Sequence, residues 1–290
     1  MKQSLITLSI VAAALFAQVL TLHSYGMSPN GKWVRIDTVI TYSTNQSLDN
    51  AKQETLSLCR RAAIEKAIPQ TIQVFSHSAS YQYERKNGEI EDNFMLSSFI
   101  VSSNMGYIVD ERIEGLPIVD YNSGSFKYKM RFEAKVVPIE GVRNPSIRLK
   151  LSTPHNLLYH GDSLILSAKS TVKGYLYIFH IFEDNSVELL YPSRFMKDNQ
   201  LEANEEKHIP DSEELTIRVA SEPGKEMMAE TFFGVLSVNK IPQLDEHLEV
   251  GEEARSTAGD LSYLSFQRWL SEIPLSQRSE AILQIKILSN

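Results

Sequence analysis

Ser163, in the run Gly161-Asp162-Ser163-Leu164, is the residue whose type and setting most suggest nucleophilic catalysis. A serine hydroxyl acts as a nucleophile when a base within hydrogen-bond reach takes its proton. The residues that follow, 164–168, alternate as in a β-strand, which predicts that the Ser163 side chain points into a sheet and is not exposed at a turn. We therefore interpret Gly161-Asp162 as the turn that starts a strand.

The letters Gly-Asp-Ser-Leu also carry the nucleophilic serine in a family of lipases and esterases, and this similarity implies a hydrolase. That family places the motif near the mature N-terminus on a strand-to-helix turn, and its base comes from an Asp-x-x-His pair near the C-terminus. In this chain no aspartate is followed three positions later by histidine. A Ser163-dependent hydrolase is therefore the alternative to our main prediction, which is a protein without catalytic residues.

Metal and cofactor chemistry has little support in the sequence. The seven histidines include no pair at the i, i+4 spacing and there is a single cysteine, so no zinc site is predicted. An acidic stretch contains Glu202, Glu205, Glu206, His208 and Asp211, which we interpret as a solvated loop, with weak calcium binding as the alternative. His180 lies in an apolar strand and is predicted to be a core residue. No glycine-rich phosphate or dinucleotide loop occurs, so no cofactor is predicted.

Aromatic side chains offer a binding hypothesis instead, because an aromatic rim can bind glycans or peptides. The candidates are Tyr159, Tyr175, Tyr177 and Tyr191. Their spacing along predicted strands favours packing in the core over one exposed surface.

The N-terminus predicts export. Lys2 precedes an uncharged apolar run, Leu5–Leu22, typical of a secretory signal, and Ser24-Tyr25-Gly26 offers a small-x-small cleavage site before Met27. Leu15-Phe16-Ala17 is a poorer site, because leucine occupies the outer small-residue position. No cysteine lies nearby, which argues against a lipoprotein. The alternative is an uncleaved membrane anchor, since a run of about 18 apolar residues is borderline for spanning a bilayer.

The net charge and the single cysteine reduce the number of function classes and folds that fit the chain. The chain has a net charge of −7, and removal of residues 1–26 would leave −8, which disfavours nucleic acid as a partner. The one cysteine, Cys59, cannot form an intramolecular disulfide. No other stretch is apolar and long enough to cross a membrane, so membrane contact depends on retention of residues 5–22.

Residues 27–140 are predicted to form a small α+β domain with one helix packed on an antiparallel sheet. The run from Trp33 to Tyr42 alternates as a strand, with Val34, Ile36, Thr38 and Ile40 on one face. A helix follows over Ala51–Ile68, capped by Ser47 and ended by Pro69. Its charged pairs Arg60-Arg61 and Glu65-Lys66 are predicted to form a solvated edge.

Further strands are expected over residues 71–83, 94–101, 105–113 and 125–137. The elements Ser47-Leu48, Arg60-Arg61-Ala-Ala-Ile-Glu-Lys-Ala67 and Gly106-Tyr-Ile-Val-Asp110, with the closing strand, resemble the N-terminal domain of flagellar assembly protein T and related envelope proteins. The resemblance covers about residues 32–138 and implies a periplasmic α+β module tied to outer-membrane assemblies.

A segment with two prolines and Gly141, residues 138–145, marks the predicted domain boundary. Beyond it, Gly174–Phe182 is apolar on both faces, which predicts a central strand that forms a hairpin with the strand starting at Val187. Strands are also expected over 164–168, 231–238 and 281–288. A helix with Tyr263, Phe266, Leu270 and Ile273 on one face ends at Pro274. We expect this helix and the last strand to cap a β-sandwich-like core.

Five short motifs occur one after another in this second part. They are Gly161-Asp162, Gly174-Tyr-Leu-Tyr177, Leu190-Tyr-Pro192, Ile209-Pro210 and Pro223-Gly-Lys-Glu226. Their order resembles the bacterial family called domain of unknown function 4384, over about residues 145–240. The resemblance implies an extracytoplasmic accessory domain and carries over no catalytic residue.

Together these observations predict an α+β protein with three parts: a signal peptide over 1–26, a small α+β domain over 27–140 and a β-rich domain over 145–290. The predicted function is a non-catalytic binding or scaffolding module in the periplasm of a bacterial cell envelope, with an envelope protein or cell-surface assembly as partner. The alternatives are the Ser163 hydrolase and an inner-membrane-anchored assembly or sensor factor.

Overall fold

A computed structural model describes nine ranges of the chain: residues 31–68, 106–114, 118–122, 124–182, 186–212, 214–221, 224–241, 260–261 and 263–289. The predicted signal segment and the strands expected over 71–83 and 94–101 lie outside the described residues. The described residues from Lys32 onward belong to one compact unit. The division into two domains therefore stays a prediction.

The described residues are mostly β-strand with two α-helices, which confirms the α+β class. The helices are α1 (Leu48–Ala67) and α2 (Tyr263–Glu272), and α2 is followed by a 3₁₀ turn, Leu275–Gln277. The strands are β1 (Lys32–Ser43), β2 (Gly106–Ile113), β3 (Ile118–Asn122), β4 (Ser125–Pro138), β5 (Leu149–Ser152), β6 (Leu157–Tyr159), β7 (Ser163–Leu164), β8 (Leu166–Ser170), β9 (Gly174–Ile181), β10 (Val187–Tyr191), β11 (Gln200–Leu201), β12 (Glu206–Ile209), β13 (Ile217–Arg218), β14 (Met227–Ser237), β15 (Asp260–Leu261) and β16 (Arg278–Leu288).

The N-terminal sheet has the order β1-β4-β2, with β3 also beside β4, and all its pairs are antiparallel. Alternation in the sequence sets its two faces. Val34 and Tyr42 of β1 are buried with Phe126 and Phe132 of β4, and Ile36 and Ile40 pack against the same core, whereas the alternate residues of β1, such as Arg35 and Val39, face away from it. The predicted face of β1 is therefore confirmed.

Helix α1 covers that buried face. Ser47 caps its N-terminus, since the Ser47 side chain accepts a hydrogen bond from the Asn50 amide at 3.1 Å, as the sequence predicts. Small residues on one stripe, among them Ala51 and Ala63, are fully buried and let the helix lie close to the sheet. A hydrogen bond of 2.9 Å between Tyr42 Oη and Thr55 Oγ1 fixes the helix on β1.

The second part of the chain is a sandwich of two sheets. The long sheet runs β15-β10-β9-β14-β16-β6, with β11 also paired to β9, and the short sheet runs β12-β8-β5. Strand β9 is central and forms the predicted hairpin pairing with β10. On one face of β9, Leu176 and Ile178 pack toward the short sheet, and on the other face Tyr177 and Phe179 pack against α2.

Two predicted strands differ in the structure. The last strand, β16, does not cap the core, because it pairs with β14 along 11 residues and with β6 on its other side. Alternation in this strand places Ile285 and Ile287 in the sandwich core, with Leu283 partly buried against it. The single strand expected over residues 164–168 is divided at Ile165, so that β7 pairs with β13 while β8 joins the short sheet.

Helix α2 is packed on both sides. Phe266 and Trp269 meet Phe179 of the long sheet with ring centroids 4.9 and 5.0 Å apart. On its other side, Gln267 Oε1 accepts a hydrogen bond of 3.0 Å from the Ile108 amide of β2 in the N-terminal sheet. One short helix thus joins the two β-rich parts of the described chain.

The prediction that Arg60 lies on the solvated edge of α1 is wrong, because its side chain is buried. Its guanidinium forms two hydrogen bonds to the Glu111 carboxylate, Nε to Oε2 at 2.8 Å and Nη2 to Oε1 at 2.5 Å, and it lies 4.3 Å from the ring centroid of Tyr263 in α2. Arg61 behaves as expected: it is one-third exposed and pairs with Glu65 one turn later at 2.9 Å. The physical reason is rotation about the helix, since neighbouring residues point about 100° apart.

A second buried arginine holds the other end of α2. Arg278 Nη1 donates to the Leu270 carbonyl and, at 3.0 Å, to the Ile273 carbonyl, and Arg278 Nε lies 2.8 Å from Glu280 Oε1. Arg143 also pairs with Glu280. Burial acts to raise the pKa of Glu280, but Arg143 and Arg278 outweigh it and the pKa lies below its ordinary value.

Within the described ranges, neither helix is both long and apolar enough to cross a bilayer.

Candidate functional site

Ser163 lies at the surface on β7, opposite Arg218 of β13. The preceding turn is confirmed: Gly161 has a φ of +90°, and Asp162 Oδ2 accepts a hydrogen bond of 2.8 Å from the Tyr159 amide. The expectation that the Ser163 side chain points into a sheet is wrong, because β7 is two residues long and Leu164 takes the inward position. Among the described residues, no histidine hydrogen-bonds to Ser163.

Two serine–histidine pairs form elsewhere, and sequence reasoning missed both. His160 Nδ1 accepts from the Ser221 amide at 3.0 Å and lies 3.1 Å from Ser221 Oγ. Because the amide already occupies the lone pair of this nitrogen, the nitrogen is poorly placed to act as a base. Ser167 Oγ lies 2.9 Å from His208 Nδ1, and the two residues are direct cross-strand neighbours in the short sheet. Strand register, which the sequence does not reveal, creates this pair.

The predicted core histidine, His180, is mostly buried and hydrogen-bonds through Nε2 to Glu230 of the neighbouring strand. Its ring stacks on Phe232 with centroids 5.3 Å apart. The acidic stretch is exposed and divided between partners: Glu202 pairs with Lys173 and His208 with Ser167. In the described part of the chain, no group of three histidine, cysteine, aspartate or glutamate side chains is placed to hold a metal ion.

The four tyrosines do not form one exposed surface. Tyr177 and Tyr191 are fully buried, Tyr175 is partly buried against the α2 side of the long sheet, and Tyr159 is exposed on β6. The hypothesis of a four-tyrosine rim is therefore wrong. Core filling, the preferred interpretation, holds for Tyr177 and Tyr191.

An exposed aromatic residue does occur, on a segment that the sequence did not single out. We call residues Ser193–Asp198, between β10 and β11, the Phe195 turn. The Phe195 side chain is 63% exposed, and the Arg194 guanidinium lies 4.2 Å from the centroid of its ring. Lys197, two residues later, is also exposed. The tip of this turn thus combines an apolar ring with two cations.

The two ends of the Phe195 turn are fixed by buried polar groups. The hydroxyl of the buried Tyr191 donates to the Asp198 carbonyl. Asn199, 3% exposed, exchanges hydrogen bonds with Leu176 of the central strand: the Leu176 amide donates to Asn199 O at 2.8 Å, and Asn199 Nδ2 donates to Leu176 O at 3.3 Å. Lys207 Nζ adds a hydrogen bond of 2.7 Å to the Asp198 carbonyl.

Hydrogen bonds inside the turn fix its conformation. The Ser193 amide donates to the Met196 carbonyl at 3.0 Å, the Met196 amide donates back at 3.2 Å, and Ser193 Oγ accepts from the Phe195 amide at 3.3 Å. Met196 is buried in the sandwich core. Because Met196 points inward from a tight turn, its neighbour Phe195 is directed outward.

The Tyr191 phenol keeps its proton at the pH of a cell. Burial raises its pKa above the ordinary value, and the nearby carboxylates Asp211 and Asp198 raise it further. The hydroxyl therefore stays a neutral donor to the Asp198 carbonyl. Tyr191 acts here as an anchor of the turn and not as an acid or base.

Sequence reasoning recognised the Leu-Tyr-Pro motif that carries Tyr191 but not the turn after it. Phe195 and Met196 are adjacent and both apolar, so composition gives no sign of which one enters the core. Asn199 offered the only local signal, since a polar residue between a turn and a strand often bonds to the backbone.

Residues 158–230 match the family described as Domain of unknown function (DUF4384). The match confirms the predicted resemblance of the second part of the chain, and it runs from β6 into β14, including the Phe195 turn and its anchors. No curated protein matches the chain. The resemblance of the first part to flagellar assembly protein T stays a prediction.

Proposed function

We propose that this protein is an exported binding or scaffolding module of a bacterial cell envelope, that it catalyses no reaction, and that it contacts a protein partner through the Phe195 turn. The observation that carries the proposal is the 63% exposure of Phe195 on a turn whose ends are fixed by Tyr191, Asn199 and Lys207. The apolar run Leu5–Leu22 is the basis for the extracytoplasmic location.

The energetics of the turn favour binding. Transfer of a phenylalanine side chain out of water contributes about 1.5–3 kcal/mol. An interface also orders side chains and loops, at a cost of about 0.5–1.5 kcal/mol for each immobilised side chain. The hydrogen bonds of Ser193, Tyr191 and Asn199 order this turn in advance, so less of the binding free energy is lost when a partner covers Phe195.

The test is affinity purification of the tagged full chain from crosslinked cells that express it. We expect the wild-type chain to recover the same envelope proteins in repeated preparations. The variant Phe195→Ser should lose at least about 90% of them, since a loss of 1.4 kcal/mol lowers affinity tenfold. The matched control is Val142→Ser, because Val142 is 81% exposed and lies outside the turn.

Equal recovery by the wild type and Phe195→Ser would contradict a role for the turn. The N-terminus of the recovered chain, sequenced in the same sample, tests the location. A chain that begins near Met27 supports a cleaved signal, whereas an intact Lys2–Leu22 segment supports the anchored alternative.

A further inference from the structure

We propose that two copies of this chain associate through the outer edge of the N-terminal sheet, where strand β1 of one copy pairs antiparallel with β1 of the other. The pair is centred on Ile36, which lies opposite Ile36 of the second copy. This surface shares no residue with the Phe195 turn, so self-association goes beyond the proposed function and does not depend on it.

Strand β1 lies at the edge of its sheet. Its 12 residues pair with β4 on one side, and in the described part of the chain no strand pairs with the other side. A long edge strand presents a row of backbone N–H and C=O groups that can bond to another chain. Addition of a strand to such an edge is a recurring way in which one chain recognises another.

Hydrogen bonds at the end of β1 show which of its backbone groups face outward. The Thr44 amide donates to the Gly124 carbonyl at 3.3 Å, one residue beyond the ladder between β1 and β4. Because hydrogen-bonded residues alternate in an antiparallel ladder, the even-numbered residues of β1 bond to β4 and the odd-numbered residues direct their amides and carbonyls outward. In agreement with this pattern, Lys66 Nζ donates to the Arg35 carbonyl at 2.9 Å.

The chain closes the β6 edge of the long sheet but leaves the β1 edge open. The Tyr159 amide donates to Asp162 Oδ2 at 2.8 Å and the Asp162 amide donates to the Tyr159 carbonyl at 2.9 Å, so the last residue of β6 is already bonded within the chain. Along residues 33–41 of β1, Lys66 is the one described group that reaches an outward backbone atom. Lys66 is exposed, so its ammonium returns to water when another strand approaches.

The side chains on the outer face of β1 complement themselves when the strand is reversed. Their order is apolar, cationic, anionic and apolar: Trp33, Arg35, Asp37 and Val39. In an antiparallel pair centred on Ile36, Trp33 lies opposite Val39 of the second copy and Arg35 lies opposite Asp37. A pair centred on Arg35 or Asp37 places like charges opposite each other, which is destabilising. This order points to a second copy of the chain as the occupant of the edge.

Burial of the apolar side chains adds to the backbone pairing. Trp33 is 44% exposed and Val39 is 58% exposed, and an aromatic residue opposite a β-branched one is a favourable cross-strand pair. Arg35 and Asp37 already contact each other at 3.3 Å within one chain, so their pairing between copies sets the register more than the affinity. One strand from each copy buries less than the standard interface of about 800 Å² per partner, so we expect a weak, concentration-dependent dimer.

The first experiment tests the register with Ile36→Cys in the full chain under mild oxidation. Opposed residues at a non-hydrogen-bonded position have Cα atoms about 4.5 Å apart, within reach of a disulfide, so we expect a covalent dimer. Thr38→Cys is the matched control, because Thr38 lies on the same face but its two copies are about 13 Å apart in this register. Cys59 is buried and is common to both variants.

The second experiment measures the dimerisation constant of the purified full chain by sedimentation. Arg35→Asp and Asp37→Arg each place like charges opposite one another, so each variant alone should dimerise about five- to tenfold more weakly. An equal mixture of the two variants restores opposite charges and should dimerise as the wild type does. Lys150→Asp makes the same change in net charge on an exposed residue of β5 and should leave the constant unchanged.

Several results would overturn the proposal. Equal disulfide yields from Ile36→Cys and Thr38→Cys exclude this register, and a chain that is monomeric at about 0.3 mM and forms no disulfide excludes the dimer. A dimer that is unaffected by both charge variants uses another surface. The photo-crosslinking residue p-benzoylphenylalanine at position 39, irradiated in cells, tests other occupants of the edge. An adduct within one chain, or with a different protein, contradicts the proposal.

Discussion

The two ends of helix α2 are held by buried arginines that work in different ways. At the first residue, Arg60 of α1 stacks on Tyr263 and pairs with Glu111 of β2. At the C-terminal end, Arg278 donates to the carbonyl of Leu270 in the last turn of the helix and to the carbonyl of Ile273 just after it. The first contact joins distant parts of the chain, and the second is local to the helix and the strand that follows it.

The difference lies in how deeply each charge is buried and in what it contacts. Arg278 is 1% exposed and has two carbonyls and the Glu280 carboxylate around it. Arg60 is 7% exposed, and the side chain of its partner Glu111 is itself 17% exposed. A polar group that loses its partner costs less stability where water can reach it, so the N-terminal end of α2 is the weaker of the two attachments.

The largest effect is expected from Arg278→Ala. This substitution removes the guanidinium donor from the carbonyls of Leu270 and Ile273, although Leu270 O also accepts a backbone hydrogen bond from the Ile273 amide at 3.3 Å, and it leaves Glu280 buried with Arg143 alone. Removal of one partner of a buried ion pair typically lowers the free energy of unfolding by about 3–5 kcal/mol. Urea unfolding of the full chain measures the loss, and a loss below about 1 kcal/mol would show that Arg278 contributes little to this end of α2.

A smaller loss, about 2–3 kcal/mol, is expected from Arg60→Ala, because the side chain of Glu111 is 17% exposed and gains solvation when its partner is removed. Arg61→Ala is the matched control, since Arg61 is the next residue and forms only a surface pair with Glu65, for which we expect about 0.5 kcal/mol or less. If Arg60→Ala is no more destabilising than Arg61→Ala, the ion pair with Glu111 does not hold the helix.

The reactivity of the Cys59 thiol gives a second measure of how firmly Arg60 holds the N-terminal end of α2. Burial raises the pKa of this thiol to about 12, Arg60 lowers it and Glu111 raises it, so the thiol is protonated and protected from alkylation at pH 8. Alkylation of the native chain at pH 8 reports opening of the N-terminal core. We expect Arg60→Ala to accelerate the reaction more than Arg278→Ala does.

The smallest loss of stability is expected when Glu280 is protonated at acid pH, because protonation removes a charge but leaves the packing intact. The pKa of Glu280 is lower in the folded chain than its ordinary value of about 4.3. Its contribution to stability is therefore complete above about pH 4.3 and is lost as the pH falls through the lowered folded pKa. Unfolding free energies from pH 6 to pH 2.5 should fall more steeply for the wild type than for Glu280→Gln; parallel curves would contradict this linkage.

Local patterns predicted much of the fold. The alternation in β1 predicted which of its residues face the core under α1, and the apolar character of both faces of Gly174–Phe182 predicted a central strand. Ser47 and Pro274 marked the start of α1 and the end of α2. These features depend on residues within one or two turns or on one strand, where side-chain direction follows from backbone period alone.

The candidate site was less accessible from the sequence. The sequence motif made Ser163 a candidate nucleophile, but no described histidine hydrogen-bonds to it. Nothing in the sequence indicated that the Phe195 turn is exposed, because either Phe195 or Met196 could have filled the core. The exposure of the Phe195 ring depends on the conformation of the turn, which Tyr191, Asn199 and Lys207 fix at both ends.

By itself the sequence determined the α+β class, the strands and helices that alternate clearly, the net negative charge and the likeness of residues 158–230 to a known family. Only the tertiary structure decided that β16 lies inside the long sheet, that Arg60 is buried and Arg61 is not, and that Phe195 faces solvent. The physical reason is that these outcomes depend on contacts between residues far apart in the chain. Local period and propensity specify which face of an element is apolar but not which element will cover it.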